Sequence, residues 1–148
     1  MFKNKKNFIK KWQSGFTLIE LLIVIAIIGV LSALLMANFV GIRQRSRDAQ
    51  RKSDVRQIQS ALEFYRSDAG IYPLTASMAS CGGALLLSGV TYMSKIPCDP
   101  STGTAYTYTS AAGSTYTLRA CIENGNDSQK DGTDTCSGAT YSYTVSNP

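Results

Sequence analysis

Glu20 is a lone carboxylate at the head of a run, Leu21 to Ile42, that contains no charged residue. An acid in hydrocarbon costs about 2.5 to 3.5 kcal/mol at a helix centre and less near an end, so an acid here asks for a cationic partner or for interfacial water. Two other groups have residue types suited to chemistry. Cys81, Cys98, Cys121 and Cys136 are an even set that allows two disulfides in three connectivities. The preferred pairing, Cys81 with Cys98 and Cys121 with Cys136, closes loops of about 15 residues, each worth about 3 kcal/mol. Zinc is the other use of such cysteines, but the chain has no histidine and no Cys-x-x-Cys pair. The third group is the acidic stretch Glu123 to Asp134. There Asp127, Asp131 and Asp134, with nearby Asn side chains and carbonyls, offer oxygen ligands for calcium, although the spacing is not that of an EF-hand; a solvated turn is the alternative. Nothing supports catalysis: no imidazole base exists, and no glycine-rich phosphate loop follows a strand.

The elements that carry these groups follow from the pattern. At about 1.5 Å of rise per residue, Leu21 to Ile42 is about 33 Å long as a helix, enough to cross a hydrocarbon core of about 30 Å. Before it, Lys3, Lys5, Lys6, Lys10 and Lys11 stand with no acid among them. Residues 1–15 therefore read as a targeting segment held on the cytoplasmic side, with the C-terminal part exported. The cluster Arg43, Arg45, Arg47, Arg51, Lys52 and Arg56, opposed only by Asp48 and Asp54, argues for the reverse orientation. Without the five leader lysines the chain has ten basic and ten acidic residues. It is formally neutral, so the overall +5 charge is no sign of a nucleic-acid binder. The arginines also point around the helix and lack interleaved aromatics. An ordinary secretory signal would have an apolar core of about 7 to 15 residues and a small-x-small cleavage site, for which only Leu35 to Ala37 is a poor candidate.

Beyond Ile42, Val55, Ile58, Leu62 and Tyr65 recur at helical spacing on one face, and Asp48 lies four before Lys52 on what reads as an exposed face. Gly70 and Pro73 stop this helix. Thr75 to Ser94 shows no clear pattern; Gly82-Gly83 before Ala84-Leu85-Leu86-Leu87 suggests a loop and a short helical turn. From Ala105 the period becomes two: Tyr106 and Tyr108, then Tyr116, Leu118, Ala120 and Ile122, then Tyr141, Tyr143 and Val145 alternate with polar or small residues. The fold class is α+β, one long N-terminal helix packed on a small antiparallel sheet.

Gly15-Phe16-Thr17-Leu18-Ile19-Glu20, between a basic leader and a spanning helix, resembles the class III signal of type IV pilins and of the pseudopilins of type II secretion. The resemblance extends to Asp68-Ala69-Gly70-Ile71-Tyr72-Pro73, at the end of the long helix, and to Pro97-Cys98-Asp99-Pro100-Ser101-Thr102-Gly103, both similar to segments of the major pseudopilins. It implies a pilin fold, cleavage between Gly15 and Phe16 by a prepilin peptidase, and methylation of Phe16. It also implies that Glu20 pairs with the new amine of a neighbouring subunit. The domains it implies are a cleaved leader at 1–15, an apolar membrane and filament-core half-helix at 16–42, an amphipathic half-helix at 43–70, and a loop, sheet and disulfide-closed C-terminal loop at 71–148. The implied partners are identical subunits, the peptidase, an inner-membrane platform protein and an assembly ATPase. The implied function is that of a structural subunit of a pilus-like filament, at the cell surface or, as a pseudopilin, in the periplasm. Outside the family, the competing reading is a membrane-anchored extracytoplasmic binding domain. Major pseudopilins bind calcium in a similarly placed acidic loop, and a disulfide commonly staples that region. Many members have proline where this chain has Ala37, so the kink a proline gives is not expected.

Overall fold

The computed structural model describes residues 15–131, Cys136 and residues 141–147, leaving aside the side chains of 37 and 38. One helix, α1, runs over Leu18–Ala69. The chain falls into two compact units that divide after Phe39. In the first, Leu18–Met36 has a mean hydropathy of 2.9 with none of its surface buried. Its leucines, isoleucines and valines all lie open. A helix apolar on every side has no inside of its own and needs lipid or other helices around it.

The second unit supplies its own core. Val55, Ile58 and Leu62 of α1 are fully buried with Tyr72, Tyr116, Leu118 and Ile122, at about 1.5 to 3 kcal/mol for each large aliphatic side chain removed from water. Opposite the helix lies a three-stranded antiparallel sheet of β3 (Thr107–Thr109), β4 (Thr117–Ile122) and β5 (Tyr141–Ser146), in the order β3-β4-β5. In β4 the alternate residues Leu118, Ala120 and Ile122 are buried, as the two-residue period dictates. The helix ends where Gly70 turns to φ +76° and donates its N–H to Arg66 O at 2.8 Å. The chain then inserts Tyr72, edge-on to Tyr116 at 4.6 Å. Gly113 permits this. Tyr72 N–H bonds Gly113 O at 2.8 Å, and a Cβ at Gly113 would come within 3.1 Å of both Ile71 Cβ and Tyr72 O.

The short helical turn expected at Ala84 to Leu87 is not formed. Leu85–Leu87 is a strand, β1, paired antiparallel with β2, Val90–Met93. Ser88 and Gly89 join them with φ of 49° and 86°, the left-handed pair of a two-residue hairpin turn. Leu85 enters the core while Leu86 faces out. Near this hairpin the chain makes a 3-10 turn at Thr75–Ser77.

Two disulfides link Cys81 to Cys98 and Cys121 to Cys136, at separations of 17 and 15 residues. The second spans the acidic loop beyond β4. Its other effect is on β5: Ser142, in register with Cys121, lies on the polar face of the alternation yet is fully buried. The loop covers it, with Asp131 N–H bonded to Ser142 O at 2.7 Å. Replacing Cys121 and Cys136 together by serine is expected to lower unfolding free energy by about 3 kcal/mol. Denaturant unfolding of the full chain in detergent reads this out, and an unchanged midpoint would show that the loop holds itself.

Candidate functional site

Glu20 sits in a capping box. Thr17, immediately before α1, donates its N–H to Glu20 Oε2 at 3.0 Å and its hydroxyl to the same oxygen at 2.8 Å, while Glu20 N–H returns to Thr17 Oγ1 at 3.3 Å. Thr-x-x-Glu is the sequence signature of this motif, and it satisfies donors that a helix start leaves open. The signature is legible in Thr17 to Glu20, and the cap adds an intrachain role to an acid expected to meet a cationic partner or interfacial water. Both bonds that Glu20 accepts from Thr17 fall on Oε2, and Oε1 has no hydrogen bond among the described residues. Phe16, at the expected cut, is highly exposed, and Gly15 has open space where a Cβ would stand.

A second charged group lies deep in the globular unit. Arg51 is 3% exposed and Asp48 1%. The Arg51 guanidinium donates to Asp48 Oδ1 at 2.7 Å, to Asp99 Oδ2 and Oδ1 at 2.6 and 3.1 Å, and to Ser101 Oγ. It also pairs with Glu123 Oε1 at 2.9 Å, and Arg47 holds both oxygens of the same carboxylate. Three carboxylates thus face two guanidiniums. Backbone donors take up the excess: Asp48 accepts the N–H of Glu123 and Asn124 at 3.0 and 2.8 Å, and Asp99 accepts those of Ser101 and Thr102 at 2.8 and 3.1 Å.

Burial works to raise the Asp99 pKa, but Arg51 and the two N–H groups outweigh it and hold the group down at about 2. Glu123 is also held at about 2, by Arg47 first and then, against burial, by Arg51 and Ser101. Arg51 is opposed by burial, yet its carboxylate bonds push its pKa up and keep it charged. Nearby, burial and the bond from its hydroxyl to Asp54, 2.7 Å long, raise the Tyr106 pKa.

Asp48 is therefore not on an exposed face beside Lys52. The reason lies in its position: 48, 51, 55, 58, 62 and 65 continue one helical stripe at spacings of three and four, with charge in place of apolarity at its start. Lys52 instead reaches Asp127 Oδ2 at 2.7 Å. The acids considered for calcium are differently occupied. Asp127 gives Oδ2 to Lys52 and Oδ1 to the N–H of Gln129 at 2.9 Å. The Lys52 bond, with the Gln129 N–H, depresses its pKa. Asp131 has Oδ2 buried without a hydrogen-bond partner among the described residues, and Asp134 lies outside them. No group of three metal-ligating side chains converges among the described residues.

Comparison with known proteins matches both parts of the chain. Residues 13–36 fit the family model described as prokaryotic N-terminal methylation motif, and residues 38–139 fit that of type II secretion system (T2SS), protein G. The type II secretion system core protein G of Pseudomonas aeruginosa is 31% identical over 139 residues, covering 82% of this chain and 94% of the relative. That of Aeromonas hydrophila is 38% identical over 66 residues, or 45% and 46% of the two chains. That of Escherichia coli is 40% identical over 63 residues, or 43% of each. The chain thus spans less than half the length of these last two relatives. No solved structure matches it.

Arg51→Met would strand Asp48 and Asp99, at an expected cost of about 3 to 5 kcal/mol, because the charges left behind are buried and unpaired. Denaturant titration checks it, with a loss below 1 kcal/mol counting against the role given to Arg51. The depressed Asp99 and Glu123 pKa values set a pH dependence. Both are held below their unfolded values, so their contribution is complete above about pH 5 and fades as pH falls toward 2. Thermal melts from pH 7 to 2 should be flat first and then decline, and the Arg51→Met chain should decline less.

Proposed function

We propose that this chain, which belongs to the family of type II secretion system protein G, is made as a prepilin, cut between Gly15 and Phe16, methylated on Phe16, and assembled as a structural subunit of a periplasmic pseudopilus. The observation that carries the reading is the succession, in one chain, of a methylation motif at 13–36 and the protein G model at 38–139. Of the two filament readings that the leader alone allows, this succession favours the pseudopilus over the surface pilus.

The residues suggest how assembly proceeds. Cleavage creates an ammonium on Phe16, and Glu20 of the adjoining subunit offers it Oε1 while Oε2 stays on its own Thr17 cap. An uncut chain lacks that ammonium, so maturation and assembly are coupled. The pair forms as the open apolar helices close on one another and exclude water, where an unpaired acid is costly. Repetition of the same heterologous contact gives an open helical polymer. The prepilin peptidase, a platform protein in the inner membrane and an assembly ATPase are the partners this route requires.

Capping and charge pairing can be separated. Glu20→Gln keeps an oxygen acceptor for Thr17 but removes the charge, whereas Glu20→Ala removes both. In cells carrying the secretion machinery, both variants are expected to be cleaved and methylated, as read by the N-terminal mass, and to lose pelletable filaments. Filaments from Glu20→Gln at the wild-type level would overturn the charge pairing. An intact Met1, or a cut near Ala37, would overturn the prepilin reading.

A further inference from the structure

The cations that follow the apolar run are not treated alike. Arg47 is held by Glu123, Arg51 is buried, Lys52 is held by Asp127, and Arg56 lies 3.3 Å from the Tyr143 hydroxyl. Arg43 and Arg45, the first two, are exposed, and among the described residues neither side chain has a hydrogen bond or an ion pair. The exposed apolar surface of α1 continues through Phe39, Val40 and Ile42, so it ends at the residue before Arg43.

We propose that Arg43 and Arg45 form a collar that binds the phosphates of anionic lipid headgroups in the leaflet facing the globular unit, holding the subunit at a set depth before it is drawn into a filament. Three observations point to lipid as the occupant. At about 3.6 residues per turn the two arginines stand about 200° apart around the helix. A single acidic protein surface addresses one side, whereas a headgroup layer surrounds the helix. The apolar run of about 33 Å slightly exceeds a hydrocarbon core of about 30 Å, so the residue that ends it lies among the phosphates. A guanidinium there can take two phosphate oxygens at once, which an ammonium cannot. Finally, cations on the exported side run against the positive-inside bias, so topology does not account for them and a local ligand does.

The proposal rests on the chain being membrane-anchored, and the test separates the two. The full chain is reconstituted into vesicles of phosphatidylcholine and phosphatidylglycerol in equal amounts, floated after a carbonate wash, extracted into mild detergent, and the lipids it retains are counted by mass spectrometry. The leader lysines are the same in every variant, so differences report the collar. Wild type is expected to keep phosphatidylglycerol preferentially. Arg43→Gln with Arg45→Gln should cut that preference roughly tenfold at low salt, and Arg43→Lys with Arg45→Lys should keep part of it. Both variants should melt as wild type does, since neither arginine packs in the core. An unchanged preference in the glutamine variant overturns the proposal. If that variant also loses self-association, the arginines belong to an acid on a second copy. A chain that fails to float overturns membrane anchoring instead.

Discussion

Burial of the Arg51 guanidinium is the constraint on which the globular unit depends. Taking such a cation out of water costs several kcal/mol, and the cost is offset only where carboxylates meet it with good geometry. Its partners come from three places in the sequence: Asp48 one turn earlier on the same helix, Asp99 in the 98–103 turn, and Glu123 just beyond β4. An apolar contact tolerates a small slide, but this one does not. Displace Asp99 and a buried anion loses its cation, while Arg51 loses two of its hydrogen bonds. The 98–103 turn and the end of β4 are therefore fixed against one turn of α1, and the disulfides at Cys98 and Cys121 lie next to those fixed points.

The same helix obeys two rules along its length. Over 48–65 a single stripe at spacings of three and four faces inward, first charged and then apolar. Over 18–36 no stripe exists, because every side is apolar. A stripe specifies one neighbour with one orientation, which suits a helix covering its own sheet. A surface that is apolar all round specifies none, which suits a segment that exchanges lipid for other helices. A polar group within such a segment stands out, and Glu20 is the only charged residue between Lys11 and Arg43.

Much of this was legible beforehand. The period change at Ala105 marks the three strands, and Val55, Ile58 and Leu62 lie in the core as their spacing requires. Gly70 stops the helix. The hairpin of β1 and β2 was not legible, because Leu85-Leu86-Leu87 is too short for a period and the two-residue turn uses Ser88, which is rare at positive φ. Asp48 is buried although its polarity reads as exposure. Its burial depends on donors from Arg51 and from the N–H groups of Glu123 and Asn124, the last two far away in sequence, and only the folded chain brings those together. The Thr17 to Glu20 cap was legible from four residues, since it is wholly local.

The acidic loop shows how the fold handles surplus negative charge. Asp127 meets the Lys52 ammonium, which also lies 3.3 Å from Gln129 Oε1. Lys130 stands over the Tyr141 ring at 4.4 Å and donates to Gly125 O. Two lysines thus meet the described part of a loop rich in acids and carbonyls. A divalent cation draws six or more oxygens from the loop itself, whereas an ammonium has three donors and is tethered to its own element. Lys52 therefore ties the loop to α1 and not only to itself. Joined by the Glu123 contacts and by Cys121, the loop becomes part of the same construction that Arg51 organises, and its position is set from the helix outward.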